Sequence, residues 1–348
     1  MRIERDVPLA PWTTLRLGGN AAQVATVERE ADVPDALAEA RASGVDTFVL
    51  GGGSNLVVAD EGFAGLVVRI ASRGETVTVA DGIARVTLAA GEPWDPFVAR
   101  AVAAGFAGVE CLAGIPGLVG ATPIQNVGAY GQEVQDTIRG VRAYDRDART
   151  FVDLTAEDCA FGYRTSRLKV TGRYVVTEVS FALPVRADSA PVRYPELAKV
   201  LGLAEGGVAP LAVVREAVLT LRRSKGMVLD DADPQSVSAG SFFMNPVVDA
   251  AGLARIERGA ASTAPPRYPA DGGRWKVPAA WLIERAGFTR GHGTARAHVS
   301  TKHTLALVNG GNASTVELLG LAREIVRGVE AVFGVTLVPE PVMLGCAI

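Results

Sequence analysis

The chain has 348 residues, of which 48% are hydrophobic and 21% are charged, and its formal net charge at pH 7 is −3. This length predicts two or three domains, and the slightly negative charge argues against broad nucleic-acid binding, which needs a basic face. The sequence has no run of 18 uncharged apolar residues and no apolar signal region at its N-terminus, so we expect neither membrane insertion nor export.

The first elements lead to a glycine-rich turn. Residues 32–44 predict a helix that ends at Gly44, and Thr47–Leu50 predicts a buried strand that runs into G-G-G-S-N. A strand followed by such a turn offers main-chain N–H groups to phosphate oxygens. The spacing matches neither a Walker loop nor a dinucleotide fingerprint. A pyrophosphate site that includes Ser54 and Asn55 and a simple tight turn therefore both stay open.

A series of β-rich runs and one helix follows. Asp95 is predicted to cap a helix over residues 97–104, and the Pro- and charge-rich residues 184–195 indicate a domain boundary. The predicted strands cover residues 65–70, a hairpin over 76–80 and 83–90 across Asp81-Gly82, residues 138–144 and 150–154, and residues 174–183.

Residues 114–134 read G-I-P-G-L-V-G-A-T-P-I-Q-N-V-G-A-Y-G-Q-E-V and have no regular period. Glycine permits backbone conformations that other residues avoid, and Pro116 and Pro123 fix the chain between the glycines. This composition suits a segment that wraps a large, flat ligand with its main chain. The alternative is a long irregular surface loop, although structureless loops of this length are uncommon.

The second half contains another candidate site and three helices. Residues 161–169, F-G-Y-R-T-S-R-L-K, suit either an anionic, partly flat group or a solvated basic turn. Helices are predicted over residues 210–223 and 278–286 and after a capping box at Ser314, with Gly334 as the stop; residues 335–337 and 342–344 predict strands. The three histidines (His292, His298, His303) lack a tight metal-ligand spacing, so no metal is expected. The three distant cysteines (Cys111, Cys159, Cys346) favour reduced thiols in a cytoplasmic protein.

Seven motifs, taken in order, resemble the UDP-N-acetylenolpyruvoylglucosamine reductases, the MurB family of flavoenzymes in peptidoglycan precursor synthesis. The resemblance covers nearly the whole chain. The motifs are Thr14–Gly19, Gly51–Asn55, Gly114–Gly117 through Gln125–Gly131, Gly162–Ser166, Gly240–Phe243 with Asn245-Pro246, Ala280–Glu284, and Pro339-Glu340.

The resemblance implies an α+β fold with a two-lobed FAD-binding domain of the vanillyl-alcohol oxidase and p-cresol methylhydroxylase type, followed by an α+β substrate-binding domain. Lobe 1 would cover residues 1–70 joined by residues 335–348, lobe 2 residues 71–190, and the substrate domain residues 191–334. The implied FAD contacts are Arg16, Gly51, Gly52, Gly53, Ser54, Asn55, Gly117, Thr122, Gln125, Asn126, Gly128, Ala129 and Tyr130.

The implied reaction is the NADPH-dependent reduction of UDP-N-acetylglucosamine enolpyruvate. The resemblance implies that Arg164 and Glu340 stabilise the enolate that hydride addition creates, and that Ser241 donates the proton. Tyr163, Tyr194, Lys225 and Asn245 would contact the substrate, and Tyr194 would place the chain in the subgroup with an additional substrate-covering loop. Met244 before Asn-Pro and Pro341 after Glu340 depart from the usual motifs.

Two other functions stay open on the sequence. A flavin oxidase on the same FAD scaffold would consume oxygen, although Arg164 and the G-S-F-F motif are reductase features. A nucleotide-binding protein without activity would keep the fold but would not need Arg164, Ser241 and Glu340. No nucleic acid, membrane or obligate protein partner is expected.

Overall fold

The computed structural model of the chain describes residues 1–204, 206–260 and 263–348. The chain divides into two compact units, each assembled from separate segments. Residues 1–7, 21–52 and 64–224 form the first unit, and residues 8–20, 53–63 and 225–348 form the second. The three-part division expected from the sequence stays a prediction.

Helices and strands are mixed along the whole chain, as the α+β class requires. The strands are β1 (Arg2–Pro8), β2 (Asn20–Val27), β3 (Thr47–Leu50), β4 (Leu56–Val58), β5 (Phe63–Ile70), β6 (Glu75–Ala80), β7 (Ile83–Ala89), β8 (Gly128–Ala129), β9 (Gln132–Glu133), β10 (Ile138–Asp145), β11 (Thr150–Thr155), β12 (Tyr174–Pro184), β13 (Ser238–Ser241), β14 (Val247–Val248), β15 (Tyr268–Ala270), β16 (Arg274–Lys276), β17 (Ala297–Val299), β18 (Ala306–Asn309) and β19 (Val342–Leu344). The α-helices are α1 (Val33–Ser43), α2 (Trp94–Ala103), α3 (Arg167–Thr171), α4 (Pro195–Leu201), α5 (Leu211–Ser224), α6 (Ala250–Gly259), α7 (Ala279–Arg285) and α8 (Thr315–Phe333).

The first unit is built on two larger sheets and the two-stranded β8-β9 sheet. One has the strand order β1-β2-β5-β3, with β3 and β5 parallel, and the other is antiparallel with the order β11-β10-β12-β7-β6. An aromatic cluster packs α2 on the second sheet: the ring centroids of Phe97 and Phe181 are 5.5 Å apart, and Trp94 lies 6.0 Å from Phe181. The buried indole N–H of Trp94 donates to the carbonyl of Leu112 at 3.1 Å. This bond fixes the chain just before the glycine-rich stretch.

The second unit packs three small sheets around a helical core. Their strand orders are β13-β18-β17, β14-β16-β15 and β19-β4. Helix α8 buries one apolar stripe in this core, as a helical period of 3.6 residues predicts. The stripe contains Leu318, Ile325, Val329 and Phe333. The parallel pairing of β19 with β4 brings the C-terminal segment to residues 56–58.

Most elements predicted from periodicity and caps are confirmed within a residue or two. The Ser314 capping box and the Gly334 stop of α8 are present, and Gly44 ends α1 in a left-handed conformation. The hairpin across Asp81-Gly82 also forms. None of the helices in the described part of the chain is long and apolar enough to cross a membrane.

Two local predictions are wrong. Asp95 lies inside α2, and its carboxylate accepts the Gly114 N–H at 2.6 Å, so it binds the glycine-rich stretch and does not cap the helix. Residues 335–337 form no strand. Val335 and Leu337 are nonetheless buried, because an irregular segment can bury alternate side chains without a hydrogen-bonded neighbour.

Candidate active site

The turn after β3 leaves main-chain N–H groups unused in the first unit. The N–H groups of Gly51 and Gly52 donate to no acceptor among the residues the structure describes. The same is true, within the described ranges, of Gly117 and Leu118. A Cβ at Gly52 would lie 2.5 Å from the Gly117 Cα, so glycine is what lets the two segments touch. Clustered main-chain N–H groups attract an anion such as a phosphate.

The turn continues into the second unit. Gly53 has a φ of 60°, and a Cβ there would lie 1.8 Å from the Trp12 carbonyl oxygen. In the part of the chain described, the Ser54 N–H and hydroxyl also have no protein partner. The Gly53 carbonyl accepts the Thr14 N–H at 3.2 Å and therefore fixes the turn. Unused main-chain and hydroxyl donors of this kind suit phosphate oxygens, such as those of the FAD pyrophosphate.

The rest of the glycine-rich stretch is an internally bonded scaffold. The N–H of Val119 donates to Glu92 at 2.8 Å, and that of Gly120 donates to Ala90 at 2.9 Å. The Thr122 hydroxyl is buried and donates to the Val119 carbonyl at 2.8 Å. These bonds make the segment a fixed wall, and an FAD contact by Thr122 stays a prediction.

Arg164 is held against this wall in the first unit. Its Nη2 donates to the Gly128 carbonyl at 2.6 Å, and its backbone has a φ of 54°. The turn that carries it is closed by two bonds between Gly162 and Thr165, at 3.0 and 3.2 Å. The Tyr163 ring lies 5.5 Å from the guanidinium carbon, which is cation–π distance.

Two predicted ligand residues are in ring contact. Tyr130 and Tyr194 pack edge to face with centroids 5.2 Å apart. Burial raises the pKa of Tyr130 to about 12, so its phenol stays protonated at neutral pH. One nearby charge was not assigned to the site from the sequence: Arg222 of α5 is buried and donates to the Gly114 carbonyl at 3.3 Å. The sequence feature that could have indicated its burial is its position on the apolar stripe of α5.

Ser241 and Glu340 are brought together in the second unit. The Glu340 N–H donates to the Phe242 carbonyl at 2.9 Å, and the Met244 N–H donates to Val338 at the same distance. Ser241 ends β13, and its half-buried hydroxyl bonds to none of the described residues. The hydroxyl is thus available to a ligand.

The Glu340 segment is also fixed by Asn55. The Asn55 side-chain amide donates to the Glu340 carbonyl at 3.2 Å, and the Asn55 carbonyl accepts the Val342 N–H at 3.0 Å. The residue after the glycine turn is therefore bonded to the strand segment that carries Glu340. Sequence reasoning assigned both residues to the site but did not predict this connection.

Other predicted residues have structural partners. Asn245 accepts the first N–H of α7, from Ala279, at 2.9 Å. Arg16 forms an ion pair with Asp231, and both residues belong to the second unit. Lys225 begins that unit's long C-terminal segment, whereas Arg164 belongs to the first unit. The assembly of Arg164 with Ser241 and Glu340 stays a prediction.

Comparison with family models shows the class of protein to which the chain belongs. A family model described as an FAD binding domain matches residues 21–152, and one described as the C-terminal domain of UDP-N-acetylenolpyruvoylglucosamine reductase matches residues 233–344. These two matches define an FAD-dependent reductase, and they confirm the expected FAD-binding and C-terminal domains.

The particular family follows from full-length relatives. The chain is 54% identical over 347 residues to the UDP-N-acetylenolpyruvoylglucosamine reductase of Thermobifida fusca, with 98% of each chain covered. It is 55% identical to that of Streptomyces avermitilis, covering 98% of this chain and 94% of the relative. The crystal structure of the Thermus caldophilus reductase matches with a TM-score of 0.67 at 27% identity over 99% of each chain. The chain belongs to the UDP-N-acetylenolpyruvoylglucosamine reductase family, and the resemblance seen in its motifs is confirmed.

Proposed function

We propose that the chain is an FAD-dependent UDP-N-acetylmuramate dehydrogenase. It reduces UDP-N-acetylglucosamine enolpyruvate to UDP-N-acetylmuramate with NADPH as the electron donor. The full-length identity to named reductases supports the activity. The observation that supports the catalytic assignment is the Glu340–Phe242 backbone bond, which joins the two segments that carry Ser241 and Glu340.

FAD binding rests on the unused donors of the glycine segments. Gly51 to Asn55 would hold the pyrophosphate, and Gly117 to Tyr130 would hold the remainder of the cofactor, except for the side-chain amide of Asn126, whose hydrogens are donated to Glu133 and Gly162. Within the described residues, the free N–H groups of Gly51 and Gly52 suit a pyrophosphate, and those of Gly117 and Leu118 are open to the rest of the cofactor. Bound FAD supplies a hydride from N5 to the enolpyruvyl β-carbon.

Side chains of the protein stabilise the charge that develops on the substrate and supply the proton that it takes up. Negative charge develops on the α-carbon and spreads into the adjoining carboxylate, where the Arg164 guanidinium stabilises it. The Ser241 hydroxyl then donates its proton to the α-carbon, which completes the reduced product. Glu340 shapes the charge around the same carboxyl group.

Substrate selectivity is assigned to a second set of side chains. Tyr163, Tyr194, Lys225 and Asn245 contact the UDP-sugar, and the Lys225 ammonium suits its diphosphate. The contact between Tyr194 and Tyr130 supports a place for Tyr194 beside the glycine-rich wall. We place the enzyme in the cytoplasm, in peptidoglycan precursor synthesis.

Steady-state kinetics test this function. NADPH and the sugar nucleotide occupy one pocket in turn, so initial-rate lines at several concentrations of the second substrate are expected to be parallel. Intersecting lines would contradict alternation in one pocket. Oxygen consumption with a small alcohol, without reduction of the sugar nucleotide, would favour the flavin oxidase.

A further inference from the structure

Arg164 has a backbone conformation that its surroundings must maintain. Its φ of 54° lies in the left-handed region, which a non-glycine side chain adopts only when neighbouring contacts hold it there. The two bonds between Gly162 and Thr165 close the turn around it. A contact that holds Gly162 in place therefore also holds the turn from which the Arg164 side chain projects.

Asn126 is the residue that binds Gly162 from outside the turn. Its Nδ2 donates to the Gly162 carbonyl at 3.1 Å and to Glu133 Oε2 at 2.7 Å. Asn126 is completely buried, and its Oδ1 accepts the Gln135 N–H at 3.2 Å. Both amide hydrogens are thus committed to protein acceptors, and none is left for a cofactor.

Glu133 determines which way the Asn126 amide points. A carboxylate only accepts hydrogen bonds, so the nitrogen and not the oxygen of the amide must face it. Glu133 Oε2 also accepts the Gln135 side-chain amide at 2.6 Å. With this orientation fixed, the second amide hydrogen is directed at Gly162.

The same strip contacts the guanidinium from the other side. Gly128, whose carbonyl accepts Arg164 Nη2 at 2.6 Å, pairs with Glu133 between β8 and β9. A Cβ at Gly128 would lie 2.7 Å from Glu133 Cγ and 3.0 Å from Arg164 Nη1. The Arg164 side chain is therefore bonded to Gly128, and the turn that carries Arg164 is bonded at Gly162 to Asn126.

We infer that Asn126, oriented by Glu133, is a positioning residue that aims the Arg164 guanidinium at the substrate carboxylate. This inference rests on the proposed function, in which Arg164 stabilises the enolate. Asn126 acts through Arg164, so its loss weakens the step that needs the cation and leaves flavin binding in place.

The test separates the two half-reactions in the flavin-loaded enzyme. Asn126→Asp keeps the side-chain shape and tolerates the left-handed φ of 48°, but removes both donors and places a carboxylate against Glu133. We expect reduction by NADPH and the ratio of bound FAD to protein to stay unchanged, and reoxidation by the enolpyruvyl sugar nucleotide to slow on the order of 100-fold.

Three further variants control the comparison. Asn312→Asp makes the same chemical change at an exposed asparagine with a φ of 55° and should have no effect. The double variant N126D/E133Q restores an amide–carboxylate pair but leaves the Gly162 carbonyl without a donor, so its reoxidation should stay as slow as that of N126D, and recovery would contradict the role of the Gly162 bond. Adding N126D to Arg164→Ala should cause no additional slowing, because both changes remove the same interaction.

The possible outcomes separate the positioning role of Asn126 from the proposed role of Arg164 on which it rests. Slow reoxidation in R164A together with normal reoxidation in flavin-loaded N126D would overturn the inference alone. Normal reoxidation in R164A would overturn the role of Arg164 and the inference with it. Should N126D lose FAD or fail to fold, Glu133→Ala decides, because it removes the acceptor that orients the Asn126 amide: slowed reoxidation with retained FAD supports positioning, and an unchanged rate refutes it.

Discussion

The N–H of Glu340 donates to the carbonyl of Phe242 at 2.9 Å, so the glutamate lies beside the residue that follows Ser241. Only eight residues follow Glu340, yet its backbone is bonded to β13's end and to the Asn55 amide. Two chain segments about 100 residues apart are thereby set in fixed register. The segments that carry the proposed proton donor, Ser241, and the proposed enolate-stabilising residue, Glu340, are therefore adjacent.

Ser241→Ala should slow reoxidation of the reduced flavin by the sugar nucleotide by roughly 10² to 10⁴-fold, the range for loss of a general acid. Flavin reduction by NADPH should be unchanged, because that step needs no proton from Ser241. Stopped-flow absorbance measures each step separately, with Ser43→Ala at the exposed end of α1 as the control. Equal loss in both steps would remove Ser241 from the proton-donor role.

Glu340→Gln should slow the same half-reaction by about 10²-fold or more, because the carboxyl group adjoining the enolate is lost. The bonds of Glu340 to Phe242 and Asn55 use its main chain, so these two bonds persist in the variant and the protein should still fold. Urea unfolding checks the second expectation. A large loss of stability with normal turnover would show that Glu340 is structural.

Gly53→Ala should release FAD and destabilise the fold by about 2–5 kcal/mol. A left-handed alanine costs about 1–2 kcal/mol, and overpacking against the Trp12 carbonyl adds about 1–3 kcal/mol. Gly44→Ala is the matched control: its φ is 63°, but a Cβ there meets nothing within 4 Å, so only the conformational cost of about 1–2 kcal/mol is expected. Retained flavin in a folded Gly53→Ala protein would contradict the tight turn.

Asp145 should contribute stability that acid removes. Hydrogen bonding to Arg173, at 2.6 Å, and to two main-chain N–H groups lowers the pKa of Asp145 to about 2. A lowered pKa in the folded state stabilises the fold above the ordinary aspartate pKa, and this contribution is lost as the pH falls from about 4 toward 2. Asp145→Asn should therefore lower the urea midpoint at pH 7, and its difference from the unmodified protein should shrink across that window.

Asp147→Asn serves as the comparison for that experiment. Asp147 contacts the same arginine at 3.3 Å but is largely exposed, so its removal should change the midpoint little at any pH. A difference between Asp145→Asn and the unmodified protein that stays constant from pH 7 to pH 3 would show that the ionised carboxylate is not the source of the stability.

Local signals predicted the regular elements well. The Ser314 capping box and Gly334 define both ends of α8 because caps are encoded within four residues of the helix. A local cap was also predicted at Asp95, but its carboxylate accepts the N–H of Gly114, which lies 19 residues away in the sequence. Short strands such as β17 were not predicted, because three residues carry too little periodicity.

The sequence motifs assigned residues to the site, but they did not give the hydrogen bonds that those residues make. Motif order identified Asn126, Asn55 and Glu340, and the fold then showed that the Asn126 amide is spent on Glu133 and Gly162. Which partner satisfies a buried amide depends on contacts between segments far apart in sequence. Arg222 illustrates the same point: its place on the apolar stripe of α5 indicates burial, but the Gly114 carbonyl that it contacts lies 108 residues away in the sequence.

The most direct test of the account is a visible spectrum of the purified protein under nitrogen, before and after NADPH and then after the enolpyruvyl-UDP-sugar. We predict a bound flavin that bleaches with NADPH and recovers its colour when the sugar nucleotide is added, without oxygen. Recovery only on admission of air, or a colourless protein that cannot be reconstituted with FAD, would contradict the proposed reductase.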